Sequence, residues 1–275
     1  MADRRGDRDP ADCCIIIPAR FASTRYPGKP LVRLAGRDGA NRTLIEWSWR
    51  AAKAVDGAAF VAVATDDRRI ADEVERFGGQ VVMTPPECAN GTERCAAAID
   101  ALGEAPDIVV NFQGDAPLTP PAIVEAVVAR MRADPDLPVA TPAIRSTGDT
   151  YRHLVADRAA GRVGGTTMVF DAHHRALYFS KNVIPFVSDR GPGADAPVHL
   201  HLGIYAYRRA ALAAYVAAPP SVLETCEGLE QLRFLDMGVS VGAVICDPPE
   251  GMTIELNNPG DAPLIEAELQ RRAAF

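Results

Sequence analysis

The chain has 275 residues and a net charge of −7; 48% of its residues are hydrophobic and 24% are charged. This length and composition predict a globular protein with a sizeable core, built as one large α/β domain or as one domain with an inserted lobe. Because the chain is acidic and has no long basic run, we expect no nucleic-acid partner. Because it has no apolar run of transmembrane length, we expect no membrane partner.

The N-terminal residues 1–11 lack the apolar core of a signal peptide, and we expect a disordered tail there. From residue 12 onward, short apolar runs alternate with helical periodicity. This alternation predicts βαβ units and a mostly parallel sheet, in which ligands bind at the carboxyl ends of the strands. The predicted strands are 13–17, 60–64, 81–83 and 108–112, and the predicted helices are 44–55, 69–77, 93–102 and 121–133.

The loop after the first predicted strand carries three cations, Arg20, Arg25 and Lys29. Gly28 allows the backbone to approach a ligand closely, and the prolines on either side of it restrict the loop. Lysine is rare in this chain, so its use in a loop motif suggests that a compact ammonium charge is needed there. Three cations on a rigid loop beyond a strand end predict a polyphosphate site.

Two helix-capping candidates precede the predicted helix at 93–102, namely Asn90 and Thr92. A carboxylate then follows the fourth predicted strand, in the run Asn-Phe-Gln-Gly-Asp115. Because Mg²⁺ takes one or two carboxylates and completes its shell with water and substrate oxygens, Asp115 predicts a metal that bridges phosphate oxygens.

Together, Arg20, Lys29 and a metal at Asp115 would stabilise the charge on a departing pyrophosphate, without a protein nucleophile. This combination predicts nucleotidyl transfer. The chain has no G-x-x-x-x-G-K-[ST] loop and no G-x-G-x-x-G that opens a helix after the first strand. These absences argue against a P-loop NTPase and against dinucleotide binding.

The pattern changes after about residue 138. Strand-like runs are then separated by loops, which predicts a β-rich lobe inserted into, and partly continuing, the same sheet. The predicted strands are 139–144, 166–170, 176–179 and 203–207, the predicted helices are 209–217 and 226–237, and 189–196 is a predicted Gly/Pro-rich loop.

The six cysteines form no C-x-x-C pair and have no histidine partners at zinc spacing. This usage predicts reduced thiols in a cytoplasmic protein.

Several motifs follow one another along the chain: Ile-Pro-Ala-Arg, Ser-Thr-Arg-Tyr-Pro-Gly-Lys-Pro-Leu, Ala-Thr-Asp-Asp, Gly-Thr-Glu-Arg, Gln-Gly-Asp, Ala-Leu-Tyr-Phe-Ser, His-Leu-Gly-Ile-Tyr and Leu-Glu-Gln-Leu-Arg. In this order they resemble the CMP-Kdo synthetases (3-deoxy-manno-octulosonate cytidylyltransferases) over nearly the full length. The resemblance implies a Rossmann-like nucleotidyltransferase fold, a homodimer and dependence on Mg²⁺. It also implies that CTP reacts with a sugar acid and that the products are a CMP-sugar and pyrophosphate.

On this resemblance we expect a single domain at 12–275. It would comprise a nucleotide-binding half at 12–137, an acceptor and dimerisation lobe at 138–250, and a C-terminal segment at 251–275 with a metal ligand and a helix. The implied catalytic residues are Arg20, Lys29 and Asp115. The implied nucleotide-binding residues are Ala19, Arg20, Lys29, Ala64, Asp66, Asn90, Gly91, Arg94 and Gln113. The implied acceptor-binding residues are Thr167, Lys181, His201, Tyr205, Glu230 and Gln231, and the implied metal ligands are Asp115 with Glu255 or Asn257.

Four departures from the family pattern concern the acceptor side or the second metal ligand. Ala116 stands where the family has Glu, Thr167 where it has Lys, and Lys181 where it has Arg; the second metal ligand, an Asp in the family, is Glu255 or Asn257 here. The triphosphate loop shows no departure. These departures leave three candidate acceptors: Kdo, another 2-keto-3-deoxy sugar acid and a phosphonate. The alternative from a different function class is an inactive nucleotide-binding protein.

Overall fold

The computed structural model describes residues 12–22, 26–37, 39, 41–103, 105–162, 165–188, 197–251 and 253–272. The tail expected at 1–11, the cation Arg25 and the loop predicted at 189–196 lie outside the described residues.

The first half of the chain is a parallel sheet with helices between its strands. Strand β1 pairs in parallel with β4 on one side and with β6 on the other, and β4 pairs in parallel with β5. The prediction of βαβ units is confirmed. The elements are β1 (Cys13–Ala19), β2 (Arg33–Ala35), β3 (Asn41–Thr43), α1 (Leu44–Lys53), β4 (Val61–Thr65), α2 (Arg68–Arg76), β5 (Gln80–Met83), α3 (Gly91–Leu102), β6 (Ile108–Asn111) and α4 (Pro121–Ala133).

The second half adds mostly antiparallel strands to the same sheet. Among the described residues, the strand order is β5-β4-β1-β6-β11-β7-β10-β8-β9, and β12 pairs in parallel with β7. The expectation of a β-rich lobe that continues the sheet is met. The elements are β7 (Val139–Arg145), α5 (Gly148–Ala159), β8 (Thr166–Phe170), β9 (Ala176–Ser180), β10 (His199–His201), β11 (Tyr205–Arg208), α6 (Arg209–Ala217), α7 (Val222–Glu227), α8 (Leu232–Asp236), β12 (Val241–Cys246) and α9 (Ala262–Arg271).

Strands β10 and β11 are two parts of one segment that joins the halves. Both pair antiparallel with β7, but β10 also pairs with β8 and β11 with β6. The first residue of β11, Tyr205, lies opposite Asn111 at the carboxyl end of β6. The join therefore places the residues around Gly203 beside the edge where the parallel strands end.

Two predictions for this half were wrong. The predicted helix at 226–237 is two helices, α7 and α8, because Gly228 adopts a left-handed conformation (φ 60°) and ends α7. The strand predicted to begin at residue 203 begins at Tyr205. The short pair β2 and β3, the largely polar α5 and the three-residue β10 were not predicted, since three-residue strands and a mostly exposed helix carry little periodicity. The six-residue β12 was also not predicted, although its sequence is largely apolar.

The core lies on both faces of the sheet. Alternate residues of β1 face opposite sides, with Ile16 in one apolar cluster and Ile15 and Ile17 in the other. A third cluster packs Leu256 and Ile265 of the C-terminal segment against the region of β2 and α1. No described helix has both the length and the apolar character needed to cross a bilayer.

Candidate active site

The loop after β1 is held in place by its own backbone and by helix α2. Gly28 has φ 71° and its N–H donates to the carbonyl of Phe21 over 3.0 Å. A Cβ at residue 28 would lie 3.1 Å from the Phe21 ring, and the Arg69 guanidinium lies 3.4 Å from the centre of that ring. Glycine is therefore required at this turn, and Lys29 follows it in a defined position.

Lys29 and Asp115 meet across the carboxyl ends of β1 and β6. The Lys29 Nζ lies 2.5 Å from Asp115 Oδ2, and both side chains are partly exposed. Gly114 makes this approach possible, because a Cβ there would lie 2.9 Å from the carbonyl oxygen of Pro18. Neighbouring parallel strands thus bring together two residues that are 86 positions apart in the sequence.

A cavity of about 220 Å³ opens at this edge of the sheet. It is lined by the predicted catalytic residues and by most of the predicted nucleotide-binding residues. A larger cavity of about 600 Å³, between the start of α4 and Arg271, is lined by none of the predicted residues. The predicted residues that line the smaller cavity are Ala19, Arg20, Lys29, Asn90, Gly91, Arg94, Gln113 and Asp115.

Arg94 forms a buried wall of the cavity. Its guanidinium is 3% exposed, donates to Thr84 Oγ1 over 2.7 Å and lies 3.5 Å from Asp66 Oδ1. Ala64, at the end of β4, is buried and does not line the cavity. The site therefore holds a cation whose orientation is set by Thr84, a residue that the sequence analysis did not single out.

Asn90 is the N-cap of α3. Its Oδ1 accepts from the Glu93 N–H over 2.9 Å, and its Nδ2 donates to the Tyr215 hydroxyl over 3.0 Å. Of the two capping candidates, Asn90 is the cap, whereas the N–H of Thr92 donates to Glu230 Oε2 over 2.9 Å. Direct contact of Asn90 with a nucleotide stays a prediction.

Three predicted acceptor-binding residues, His201, Tyr205 and Gln231, lie where β10 and β11 meet the turn before α8. His201 Nε2 lies 3.0 Å from Thr141 Oγ1, and burial lowers the pKa of His201 to about 3. The Tyr205 hydroxyl donates to Gln231 Oε1 over 3.0 Å. The buried Nε2 of Gln231 has no hydrogen-bond partner within the described part of the chain. An amide nitrogen in this state suits a ligand that accepts a hydrogen bond.

Thr167 and Lys181 are engaged in the structure of the lobe itself. The Thr167 hydroxyl donates to the Asn182 carbonyl over 2.6 Å and accepts from the Ile184 N–H over 3.0 Å. Lys181 is exposed, and its Nζ donates to the Gly228 carbonyl over 3.4 Å. These bonds favour a role for both residues in shaping the lobe, and their contact with an acceptor stays a prediction.

The C-terminal segment brings the second predicted metal ligand to Asp115. The Leu256 N–H donates to the Asp115 carbonyl over 3.0 Å, which places Glu255 and Asn257 beside it. No group of three or more His, Cys, Asp or Glu side chains that could hold a metal occurs among the described residues. One or two protein oxygens completed by phosphate oxygens match the habit of Mg²⁺, so this donor set fits a metal that arrives with a nucleotide.

Two threonines hold site residues, and the sequence analysis missed both. Thr84 orients Arg94, and Thr141 bonds His201 and also donates to the Ile204 carbonyl over 2.7 Å. Neither lies in a motif, so no signal in a single sequence marks them.

Comparisons with known proteins identify the family of this chain. Residues 14–241 match the sequence model of a family described as Cytidylyltransferase. The chain is 47% identical over 251 residues to a 3-deoxy-manno-octulosonate cytidylyltransferase of Maricaulis maris, covering 91% of this chain and 94% of that protein. It is 40% identical over 262 residues to the enzyme of the same name from Desulfosudis oleivorans, covering 94% and 98%.

A solved structure is also similar. It is a CMP:2-keto-3-deoxy-manno-octonic acid synthetase in complex with CTP, with a TM-score of 0.80 and 33% identity, and the match covers 94% of this chain and 98% of that one. A 4-diphosphocytidyl-2C-methyl-D-erythritol synthase from Anaerococcus prevotii shares the fold at 15% identity and a TM-score of 0.59. The predicted nucleotidyltransferase fold is confirmed.

Proposed function

The chain belongs to the 3-deoxy-manno-octulosonate cytidylyltransferase family, and from this premise we propose that it transfers CMP from CTP to Kdo and releases pyrophosphate, with Mg²⁺ as cofactor. One observation carries the proposal. Gln113 lines the cavity of about 220 Å³, called the nucleotide cavity below, and lies 3.4 Å from the position of a Cβ on Gly203, which stands between His201 and Tyr205. The nucleotide cavity and the acceptor-side residues therefore adjoin, as a direct transfer between two substrates requires.

On the nucleotide side, Arg20 and Lys29 would bind the triphosphate and stabilise the charge that develops on pyrophosphate as it leaves. Asp115, with Glu255 or Asn257, would hold Mg²⁺. When bound, this ion would neutralise phosphate charge and orient the triphosphate. Arg94, held by Thr84, would donate to acceptor atoms of the cytosine.

On the acceptor side, the Nε2 of Gln231, which has no hydrogen-bond partner among the described residues, and the neutral imidazole of His201 offer hydrogen bonds to a polar sugar acid. Two of the four departures from the family pattern, Ala116 and Thr167, offer no free polar group to an acceptor. Ala116 is buried, and the Thr167 hydroxyl is used within the lobe. These observations favour Kdo over a phosphonate as the acceptor.

We also propose a homodimer in a reducing compartment. Phe186 is 90% exposed and Leu177, on β9, is 61% exposed. β9 ends the order of paired strands, and exposed apolar side chains beside a sheet edge fit contact with a second copy. All six cysteines are free thiols, which fits reducing conditions.

The test is pyrophosphate release from CTP, measured with Kdo, other sugar acids and phosphonates, and with and without Mg²⁺. We expect Kdo to react with kcat/KM of about 10⁴ M⁻¹s⁻¹ or more, and only with Mg²⁺ present. ATP, GTP and UTP in place of CTP are the controls. Equal release with ATP or GTP would refute the selection of cytosine. If Kdo is inert while a phosphonate reacts, the acceptor assignment is wrong and the cytidylyl transfer stands.

A further inference from the structure

We propose that Thr92 and Tyr207 are positioning residues for both substrates. A buried chain of hydrogen bonds runs through them from Gln113 at the nucleotide cavity to Glu230 at the acceptor side. The identity of the two substrates rests on the proposed function, whereas the chain of hydrogen bonds is a feature of the unliganded protein.

The chain crosses four parts of the fold. Gln113 Nε2 donates to Asn111 Oδ1 over 3.3 Å, and Asn111 Nδ2 lies 3.3 Å from the Tyr207 hydroxyl oxygen. That hydroxyl lies 2.8 Å from Thr92 Oγ1, and the N–H of Thr92 donates to Glu230 Oε2 over 2.9 Å. The links therefore join the end of β6, strand β11, the start of α3 and the turn before α8.

The side-chain hydrogen bonds all run in one direction, with each donor on the side of Gln113 and each acceptor on the side of Thr92. The amide nitrogen of Asn111 can only donate, so the Tyr207 oxygen accepts from it and its own proton is directed to Thr92. The N–H of Thr92 donates to Glu230 Oε2, and this bond opposes the rise in the pKa of Glu230 that burial causes. Hydrogen bonds that run in one direction polarise and strengthen one another.

The three middle residues of this hydrogen-bond chain have no contact with water that could replace a broken link. Thr92, Asn111 and Tyr207 are each fully buried. Gly91 is part of the arrangement, since a Cβ there would lie 3.2 Å from Asn111 Nδ2. Because a buried donor left without a partner is costly, loss of one hydroxyl is expected to move its neighbours rather than leave them in place.

The consequence concerns both ends of the chain. At the nucleotide cavity, the Nε2 of Gln113 is turned toward Asn111, so Oε1 is the atom left to accept a hydrogen bond from a ligand. At the acceptor side, Glu230 is held against the first turn of α3. In-line transfer requires the two substrates at a fixed separation, and this chain is a rigid link between their subsites.

The test compares Thr92→Val, Thr92→Ser and Tyr207→Phe. Valine matches threonine in shape and keeps the N–H bond to Glu230, but it lacks the hydroxyl, whereas serine restores that hydroxyl. We expect Thr92→Val and Tyr207→Phe each to lower kcat/KM by about tenfold for CTP and for the acceptor. Thr92→Ser should recover most of the loss. The double variant should be no worse than the more severe single one, since both break the same chain.

The control is Thr43→Val, which removes a buried threonine hydroxyl that donates to Glu73 over 2.9 Å, outside the chain. It should lower the melting temperature and leave kcat/KM unchanged. If Thr92→Val and Tyr207→Phe also change only the melting temperature, the positioning role is wrong. Equal losses in Thr92→Ser and Thr92→Val would also refute it.

A second measurement does not depend on activity. The side-chain amide resonances of Gln113 and Asn111 should shift in unliganded Thr92→Val and return in Thr92→Ser. If those resonances stay in place, the chain does not orient Gln113. If they shift while the unaltered enzyme shows no reaction with CTP and Kdo, the proposed function is wrong, and the role of the hydrogen-bond chain in orienting Gln113 is supported.

Discussion

The predicted nucleotide half and the predicted acceptor lobe present their candidate site residues by different means. In the nucleotide half, β1, β4 and β6 are parallel neighbours, and the loop after each delivers polar residues to one edge of the sheet. In the lobe, the site residues come from antiparallel strands and from the turn before α8, and most of their polar atoms are bonded within the lobe. The site residues of the first region can be predicted from the sequence at the strand ends. Those of the second region depend on which strands pair in the folded protein.

The two regions also differ in the physical character of their sites. The predicted nucleotide side holds charges, of which Lys29 is 14% and Asp115 22% exposed, whereas Arg94 is buried. The acceptor side holds enclosed neutral groups, such as the imidazole of His201 and the amide of Gln231. We therefore expect substitutions on the nucleotide side to change the reaction rate most, and substitutions in the lobe to change acceptor binding and stability.

The largest effect is expected at the pair Lys29 and Asp115. On the proposed function, Lys29→Ala or Asp115→Asn removes charge directed at the reacting phosphates, and each should lower kcat by about 10²–10³-fold. The melting temperature should change little, because the pair is partly exposed. Lys53→Ala, on the exposed face of α1, is the matched control and should keep full activity. Near-normal turnover of either variant would remove the contrast between the two regions.

An intermediate effect is expected from Tyr205→Phe. It removes the hydroxyl that orients Gln231, so the KM for the acceptor should rise by about tenfold while the KM for CTP stays the same. Tyr151→Phe, in α5 of the same lobe, controls for the loss of a tyrosine hydroxyl. An equal rise in both KM values would show that Tyr205 does not act on the acceptor alone.

The smallest effect is a pH dependence of stability from His201. The pKa of His201 is about 3 in the folded protein, below its ordinary value of 6.5. Below pH 6.5 the unfolded chain therefore binds a proton that the folded protein excludes, so stability falls as the pH drops. At pH 6 this contribution is about 0.8 kcal/mol, and His201→Gln should remove it.

The measurement is the free energy of unfolding at pH 8 and pH 6 for the unaltered protein and the variant. His173→Gln, at an exposed position, controls for the loss of one histidine. If the difference between the two pH values is the same in His201→Gln as in the unaltered protein, the imidazole is not kept neutral by burial.

Much of the nucleotide half could be predicted because its signals are local. The apolar run of β1, the glycine before Lys29 and the carboxylate after β6 each follow from a short stretch of sequence. The lobe was harder, since Gly228 interrupts a stretch that reads as one helix, and its left-handed conformation ends α7. The positions of Thr167 and Lys181 show the same limit, because their partners are distant in the sequence.

The sequence by itself determined the alternation of strands and helices, the rigid cationic loop and the residues at the strand ends. These follow from backbone preferences and hydrophobic period, which act over a few residues. The tertiary structure decided that Thr84 orients Arg94, that Leu256 ties Glu255 to Asp115, and that Tyr207 links the two sides of the site. Such contacts join residues brought together only by strand order and packing, and a buried polar group takes whichever partner the fold places within reach.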